Sequence, residues 1–310
     1  MSQQLHVVVG AGAIGSSVAH LLVEQGHRVR VVTRSGGTGT GGPIPGIEAV
    51  AADAADGSRL TELTRGATAV YNCVNPAYHR WAQDWPPVAT ALLDAASAND
   101  AVLATVSNLY PYGPSAMPMT ESLPLEATFT NGRVRARMWQ QALAAHQAGR
   151  VRVTEARGSD YIGPHTQGQY ADRAVPNILK GRAVSVLGAP DVEHTLTYSG
   201  DMAATLVTLA ADSRAWGQAW HVPSLPALTP RQVIAGLCES AGVPMVAVRR
   251  IPAPALKALG VFVPALRPMG DVRYQHLHPF VMDSSAAQQT FGITPTPWRT
   301  IYAETVAGHR

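Results

Sequence analysis

No lysine occurs between Met1 and Arg157. Chemistry that needs a titratable ammonium is thereby excluded from the first half of the chain, because the guanidinium groups there do not release a proton near neutrality. Cysteine is as scarce, with only Cys73 and Cys238 in 310 residues. Two cysteines make no disulfide framework, and these lack metal-site spacing, so they read as small core residues of a metal-free protein. No apolar run reaches the roughly 18 residues that a bilayer span requires. The N-terminus runs straight into a β-branched segment, without the charged, apolar and cleavage regions of a secretory signal. Charge of one sign is lacking too: 24 Lys and Arg stand against 21 Asp and Glu, a formal net charge of +3. The isoelectric point of 9.0 is therefore weak ground for expecting nucleic acid or anionic membrane. These absences lead to the expectation of a cytoplasmic protein that takes a small-molecule substrate, with no nucleic-acid or membrane partner.

What is present is concentrated at residues 5–15, Leu-His-Val-Val-Val-Gly-Ala-Gly-Ala-Ile-Gly. A β-branched run ends at Gly10, and Gly10, Gly12 and Gly15 fall in G-x-G-x-x-G spacing ahead of a helical pattern carrying Ile14, Val18, Leu21 and Leu22 on one face. In a dinucleotide site the first glycine makes the tight turn and the second lets backbone approach a pyrophosphate. The third lets helix and strand pack closely. The helix start, at Ala13 and Ile14, offers free N–H groups to the phosphates.

Apolar runs at Val7–Val9, Val29–Val32, Ile47–Ala51, Ala69–Cys73, Ala101–Val106 and Val151–Glu155 read as strands. Helical patterns at Ala13–Gln25, Gly57–Thr64, Trp81–Ala98 and Val134–Gln147 lie between several of them. This alternation predicts an α/β fold, a Rossmann-type doubly wound parallel sheet, with a smaller mixed C-terminal substrate lobe. The expected division is a dinucleotide-binding domain over 1–163, to which 194–222 returns, and a substrate lobe over 164–193 and 223–310. Ser35–Gly46, rich in Gly, Thr and Pro, reads as a flexible connection between the second and third strands.

The end of the second strand bears on the cofactor. An acidic residue there accepts the ribose 2′-OH of NAD and repels a 2′-phosphate. This chain has Thr33-Arg34-Ser35 instead, a guanidinium fork flanked by hydroxyls, which favours NADP(H). Asp53 follows the third strand, where a carboxylate suits an adenine amine, and Asn75 follows the fourth.

Further along, Ser107-Asn108-Leu109-Tyr110-Pro111-Tyr112-Gly113 and Arg157-Gly158-Ser159-Asp160-Tyr161-Ile162-Gly163-Pro164 resemble segments after the fifth and sixth strands of the short-chain dehydrogenases/reductases of extended, NAD-dependent epimerase/dehydratase type. Thr197–Ala203 resembles that family's strand-to-helix turn, and Asp283–Ala286 with Phe291–Pro295 its closing signature. Four matches in the right order, over nearly the whole chain, identify it as an atypical member. The family's catalytic Ser/Thr, Tyr and Lys fall at Asn108, Asn131 and Arg135, so all three are replaced. Asn108 keeps a hydrogen-bond donor for a substrate oxygen, and Arg135 keeps a charge for the nicotinamide ribose. Asn131 has no useful titration. Gly158 belongs with the cofactor-binding set that the resemblance implies. A homodimer is common in the family.

Replacement acids are sought at Tyr110 and Tyr161, with Arg135 as the cation that would assist a phenol, and at His79 in the cluster Asn75–Trp81. Tyr112 resembles a structural tyrosine of the family. His165 and Tyr170 are weaker candidates, His194 reads as structural, and His276 and His278 read as a half-exposed, strand-like run. The expected function is an NADP(H)-dependent oxidoreductase that reduces a carbonyl or an activated C=C or C=N bond of a small, largely apolar molecule. A nucleotide-bound sensor or scaffold without catalysis and an epimerase or dehydratase are the alternatives. Sparse Arg and Lys in the second half argue against a diphosphate substrate, although Arg173, Lys180 and Arg182 keep it open.

Overall fold

The β-branched runs become seven strands of one parallel sheet in a computed structural model that describes residues 3–40, 42, 44–115, 117–252 and 270–310. These are β1 (Leu5–Val9), β2 (Arg28–Thr33), β3 (Ile47–Ala51), β4 (Ala67–Asn72), β5 (Val102–Asn108), β6 (Arg152–Gly158) and β10 (Gln218–His221), in the order β10-β6-β5-β4-β1-β2-β3. The doubly wound Rossmann-type sheet is thus as expected. Its direction of winding reverses between β1 and β4, and the carboxyl ends of both strands open at that reversal.

Successive side chains of a strand face opposite ways, so a run such as Val7-Val8-Val9 is buried only if both faces are covered. Val7 and Val9 pack toward α2 (Gly57–Leu63), α3 (Trp81–Ala98) and α4 (Thr130–Gln147), among Leu60, Trp85, Leu92 and Met138. Val8 packs the other way against α1 (Ala13–Glu24) and α6 (Ser199–Ala211), among Val18, Leu22, Met202 and Leu206. A third core, with Ile162, Ile178, Val233, Leu237 and Ile301, lies under α7 (Pro230–Ala241) and the C-terminal helix Trp298–Ala307. Two small parallel pairs join this region: β7 (Asp160–Ile162) with β9 (Leu196–Tyr198), and β8 (Val184–Val186) with β11 (Val248–Arg250).

Local chemistry sets several boundaries. Thr229 and Gln232 form a capping box at the start of α7, with Pro230 at its first position, and Gly242 ends it in the left-handed region at φ 71°. Helix α4 starts earlier than its apolar period, at Thr130 rather than Val134. Its first turn is held by tertiary packing, since a Cβ on Gly132 would meet Ala127 Cβ at 2.4 Å and the Tyr110 carbonyl oxygen at 2.7 Å. The strand-like reading of the run through His276 and His278 is corrected: Arg273–His276 is a 3-10 turn. Alternating polarity over so few residues also fits a turn that buries Gln275, which is 2% exposed, and exposes His278.

A buried polar chain crosses the sheet's carboxyl edge. Arg157 donates to Glu155 Oε1 at 2.7 Å and to the Tyr112 hydroxyl at 2.8 Å. Tyr112 donates to His221 Nε2 at 2.8 Å, and His221 Nδ1 donates to the Asp283 carbonyl oxygen at 2.6 Å. The Tyr112 hydroxyl and His221 Nδ1 both find acceptors only if His221 is neutral and carries its proton on Nδ1, and burial indeed lowers its pKa.

Two stability experiments follow from this packing. Arg157→Met should lower the unfolding free energy by about 3–5 kcal/mol by stranding the Glu155 carboxylate, and adding Glu155→Leu should restore much of it in urea titrations. Burial, aided by the neighbouring His27, brings His6 down to about 4. Its neutral form is favoured by the fold, so stability should be full above pH 6.5 and fall as pH drops from 6.5 toward 4. Chemical denaturation across that range should show a shallower loss in His6→Gln.

Candidate functional site

The glycine turn stands where β1 feeds α1. Gly10 has φ +91° and donates its N–H to the Val32 carbonyl oxygen, and a Cβ there would lie 2.6 Å from the Cys73 carbonyl oxygen. A Cβ on Gly15 would come within 2.0 Å of the Gly10 carbonyl oxygen. Both glycines are demanded by the fold itself. Gly12 differs, because a Cβ there would meet nothing within 4 Å. It is the N-cap of α1, with no side-chain cap and no acidic residue in the first turn. The helix start at Ala13, Ile14 and Gly15 therefore presents open backbone N–H groups and a positive dipole end, a cradle for an anionic phosphate. The Ser35–Gly46 connection folds back toward this turn, where the Thr40 N–H donates to Ser16 Oγ at 3.2 Å.

Arg34 leaves the end of β2 exposed, with no hydrogen bond or ion pair among the described residues. Thr33 turns its hydroxyl to the Gly37 carbonyl oxygen at 3.0 Å, and Ser35 is exposed beside it. Asp53 accepts the Ala55 N–H at 2.9 Å in a turn after β3, and Asn75 is exposed after β4. His79 is exposed in the 3-10 turn Tyr78–Arg80. The Arg80 guanidinium holds the Asp84 carboxyl below its usual range, and Arg34 and His79 act in the same direction.

The catalytic candidates gather at the ends of β5 and β6, where Asn108 pairs with Gly158 in register. Asn108 Oδ1 accepts the Tyr110 N–H at 3.2 Å, which assigns its oxygen and leaves the amide NH2 as the group free to donate. Tyr161 donates to the Ser107 carbonyl oxygen at 2.7 Å, and its ring lies against Gly158, where a Cβ would meet it at 3.0 Å. Burial pushes the Tyr161 phenol upward against the opposing pull of Arg135, and it pushes Tyr110 well upward too. Both phenols are therefore held protonated.

Asn131 and Arg135 are turned to packing. Asn131 is buried and donates to the Tyr78 carbonyl oxygen at 3.1 Å. Arg135, 4% exposed, donates to the Val106 carbonyl oxygen at 3.2 Å, with its guanidinium 4.8 Å and 4.3 Å from the ring centres of Trp81 and Trp85. The Arg135 charge, expected to face a nicotinamide ribose, thus lies against two indoles set nearly at right angles. Tyr78, Trp81, Tyr110 and Phe129 meet edge-on or tilted in a continuous aromatic wall with ring centres 5.0–6.2 Å apart.

Sequence reading missed one grouping. Asp160, at the start of β7, lies against His194 and His276, and the three ligating atoms are all within 4.8 Å of one another. Of the weaker candidates, His165 is exposed and Tyr170 is buried in the third core.

Comparison with known proteins places these features. The profile of the NAD dependent epimerase/dehydratase family matches residues 6–222. The chain belongs to this family. No curated protein matches it significantly. Solved structures of the family share its fold at low identity. A UDP-N-acetylglucosamine 4-epimerase from Methanobrevibacter ruminantium, in complex with UDP-N-acetylmuramic acid, superimposes with a TM-score of 0.81 at 15% identity, covering 100% of this chain and 99% of that one. A dTDP-glucose 4,6-dehydratase from Streptomyces venezuelae with NAD bound gives 0.79 at 20% identity, covering 99% and 97%. A UDP-glucuronic acid 4-epimerase from Bacillus cereus, with UDP-glucuronic acid and NAD, gives 0.79 at 16% identity, covering 99% of each chain. Among the described residues no helix is long and apolar enough to cross a membrane.

The different surroundings of the family's glycines can be separated by substitution. Gly12→Ala should cost no more than about 1 kcal/mol in thermal or urea unfolding, the loss an alanine brings at an N-cap. Gly15→Ala should cost on the order of 2 kcal/mol, because the added methyl meets backbone rather than space.

Proposed function

We propose that this family member is an NADP(H)-dependent oxidoreductase that reduces a carbonyl, or an activated C=C or C=N bond, of a small and largely apolar substrate. The observation that carries this reading is the pairing of an open Gly12 cradle with the unengaged guanidinium of Arg34 at the end of β2. Backbone N–H groups at Ala13, Ile14 and Gly15 would hold the pyrophosphate. Arg34, flanked by Thr33 and Ser35, would take a 2′-phosphate in the fork geometry that suits it. Asp53 and Asn75 flank the same edge and would bound the adenosine end.

A bound reduced nicotinamide supplies the hydride. The chain's part is to orient the acceptor, polarise it and deliver a proton. The free amide of Asn108 is suited to donate to the substrate heteroatom, and the Tyr161 hydroxyl, released from the Ser107 carbonyl oxygen, to protonate the product. A phenol whose pKa is raised is a poor base yet still transfers its proton to an alkoxide, so the environment of Tyr161 favours reduction over oxidation. The aromatic wall of Tyr78, Trp81, Tyr110 and Phe129 matches a substrate with apolar surface.

Epimerisation is the second reading, supported by the epimerases among the structures that share the fold. It requires oxidation and re-reduction at one carbon, and hence a group able to remove a proton, which Asn131 and Arg135 do not provide.

Equilibrium titration with NADPH and NADH tests the cofactor assignment. Arg34→Ala should weaken NADPH binding about 10- to 100-fold while NADH changes less than about 3-fold, in line with loss of one charged phosphate contact. Equal effects on the two cofactors would overturn it. NADPH consumption should be screened with ketones, enals and imines, and Tyr161→Phe should lower kcat at least about 10-fold. Inverted product stereochemistry without net cofactor consumption would establish the epimerase reading instead.

A further inference from the structure

We propose that Asp160, His194 and His276 form a binding site for one divalent first-row transition ion, of the zinc class, at the carboxyl edge of the sheet beyond β6. Neither the dinucleotide reading nor the family match supplies this site. Its ligands come from three separate segments: the start of β7, the residues before β9, and the 3-10 turn Arg273–His276.

The spacing suits coordination. Asp160 Oδ2 lies 3.4 Å from His194 Nε2 and 3.8 Å from His276 Nε2. A tetrahedral ion with bonds of about 2.1 Å holds its ligand atoms about 3.4 Å apart. The His276 imidazole lies beside that of His194, with ring centres 5.1 Å apart and planes 12° apart, and all three ligating atoms fall within 4.8 Å of one another.

The hydrogen bonding around His194 gives the stronger argument. His194 Nδ1 sits 3.1 Å from the Gln275 carbonyl oxygen, which can only accept, so the proton of a neutral imidazole is on Nδ1 and Nε2 presents a lone pair. That lone pair faces a carboxylate oxygen, one acceptor against another. Ser159 Oγ, also near Nε2, stands at 3.4 Å, the outer limit of a hydrogen bond. A positive species between Nε2 and Oδ2 resolves the conflict, either a proton or a metal ion. A second imidazole nitrogen turned toward the same oxygen favours the metal, because one proton serves a single pair and an ion gathers all three.

The surroundings fit a ligand set with an open position. The His194 side chain is 5% exposed and that of His276 10%, whereas that of Asp160 is 33% exposed. Phe280 stacks on His194 at 5.0 Å and fixes its plane, and the Gln275 carbonyl fixes its tautomer, the outer-shell support that metal-bound histidines have. Two imidazoles and one carboxylate leave room for a water or a substrate oxygen. Asp160 and Tyr161 are consecutive residues of β7, so an ion here would lie near the proposed proton donor.

The test is titration of chelator-stripped, full-length protein with Zn2+ by calorimetry and with Co2+ by visible absorption, with no substrate or dinucleotide present. One ion per chain is expected, with Co2+ bands of a low-coordinate nitrogen/oxygen site. Asp160→Asn and His194→Ala should each weaken binding at least 10-fold, while His278→Ala, at an exposed neighbouring histidine, should not. Thermal unfolding of the metal-free variants identifies any that fail to fold, and the carboxamide variant is the mildest change. Absence of stoichiometric binding would overturn the site, as would equal binding by the variants. So would an imidazole NMR spectrum showing only a protonated His194 paired with Asp160 and unmoved by Zn2+. None of these outcomes bears on NADPH binding, so the two proposals stand or fall separately.

Discussion

A guanidinium placed where water cannot reach it constrains everything packed around it. Arg157 is 1% exposed, and the carboxylate that answers its charge, Glu155, lies two residues back on the same strand, equally buried. Removing two charges from water costs several kcal/mol each, and attraction compensates only when geometry and further hydrogen bonds are good. The chain meets that condition by carrying the hydrogen bonding outward through Tyr112 and His221 to the Asp283 backbone. The ends of β5, β6 and β10 and the segment before the last two helices are thereby tied to one arrangement. Asn108, at the end of β5, and Tyr161, in β7 just beyond β6, inherit their positions from this network.

The reversal between β1 and β4 imposes the second constraint. Backbone from the two halves of the sheet approaches so closely there that Gly10 has no room for a side chain, while the helix start at Gly12 remains open. The close contacts at Gly10 and Gly15 support the turn, and the open space at Gly12 is what a ligand would use. A single motif thus combines structural and binding roles that the spacing of its glycines does not separate.

Between these two constraints lie the candidate catalytic residues. The Asn131 amide is bound to the Tyr78 backbone, and the Arg135 guanidinium lies against two indoles set nearly at right angles. Their polar groups serve packing, and the phenols that remain are kept protonated by burial. Asp160, partly exposed among these phenols, brings negative charge to the same edge. That charge is adverse to a diphosphate and welcoming to a cation.

Much of the architecture was legible in the chain alone. Buried parallel strands require continuous β-branched runs and the reversal requires glycine, so periodicity and turn chemistry determined the sheet and the dinucleotide-type turn. The family followed from short motifs in their order. Less local features were not legible. The first turn of α4 has no apolar period and exists because Gly132 fits under Tyr110. His276 and His278 alternate with Gln275 and Leu277 as in a half-exposed strand, yet Arg273–His276 is a turn that buries Gln275. Only the tertiary structure decided that Arg135 lies against Trp81 and Trp85 and that Asp160, His194 and His276 converge. Isolated polar residues carry no periodicity, and their meeting depends on how distant segments cross.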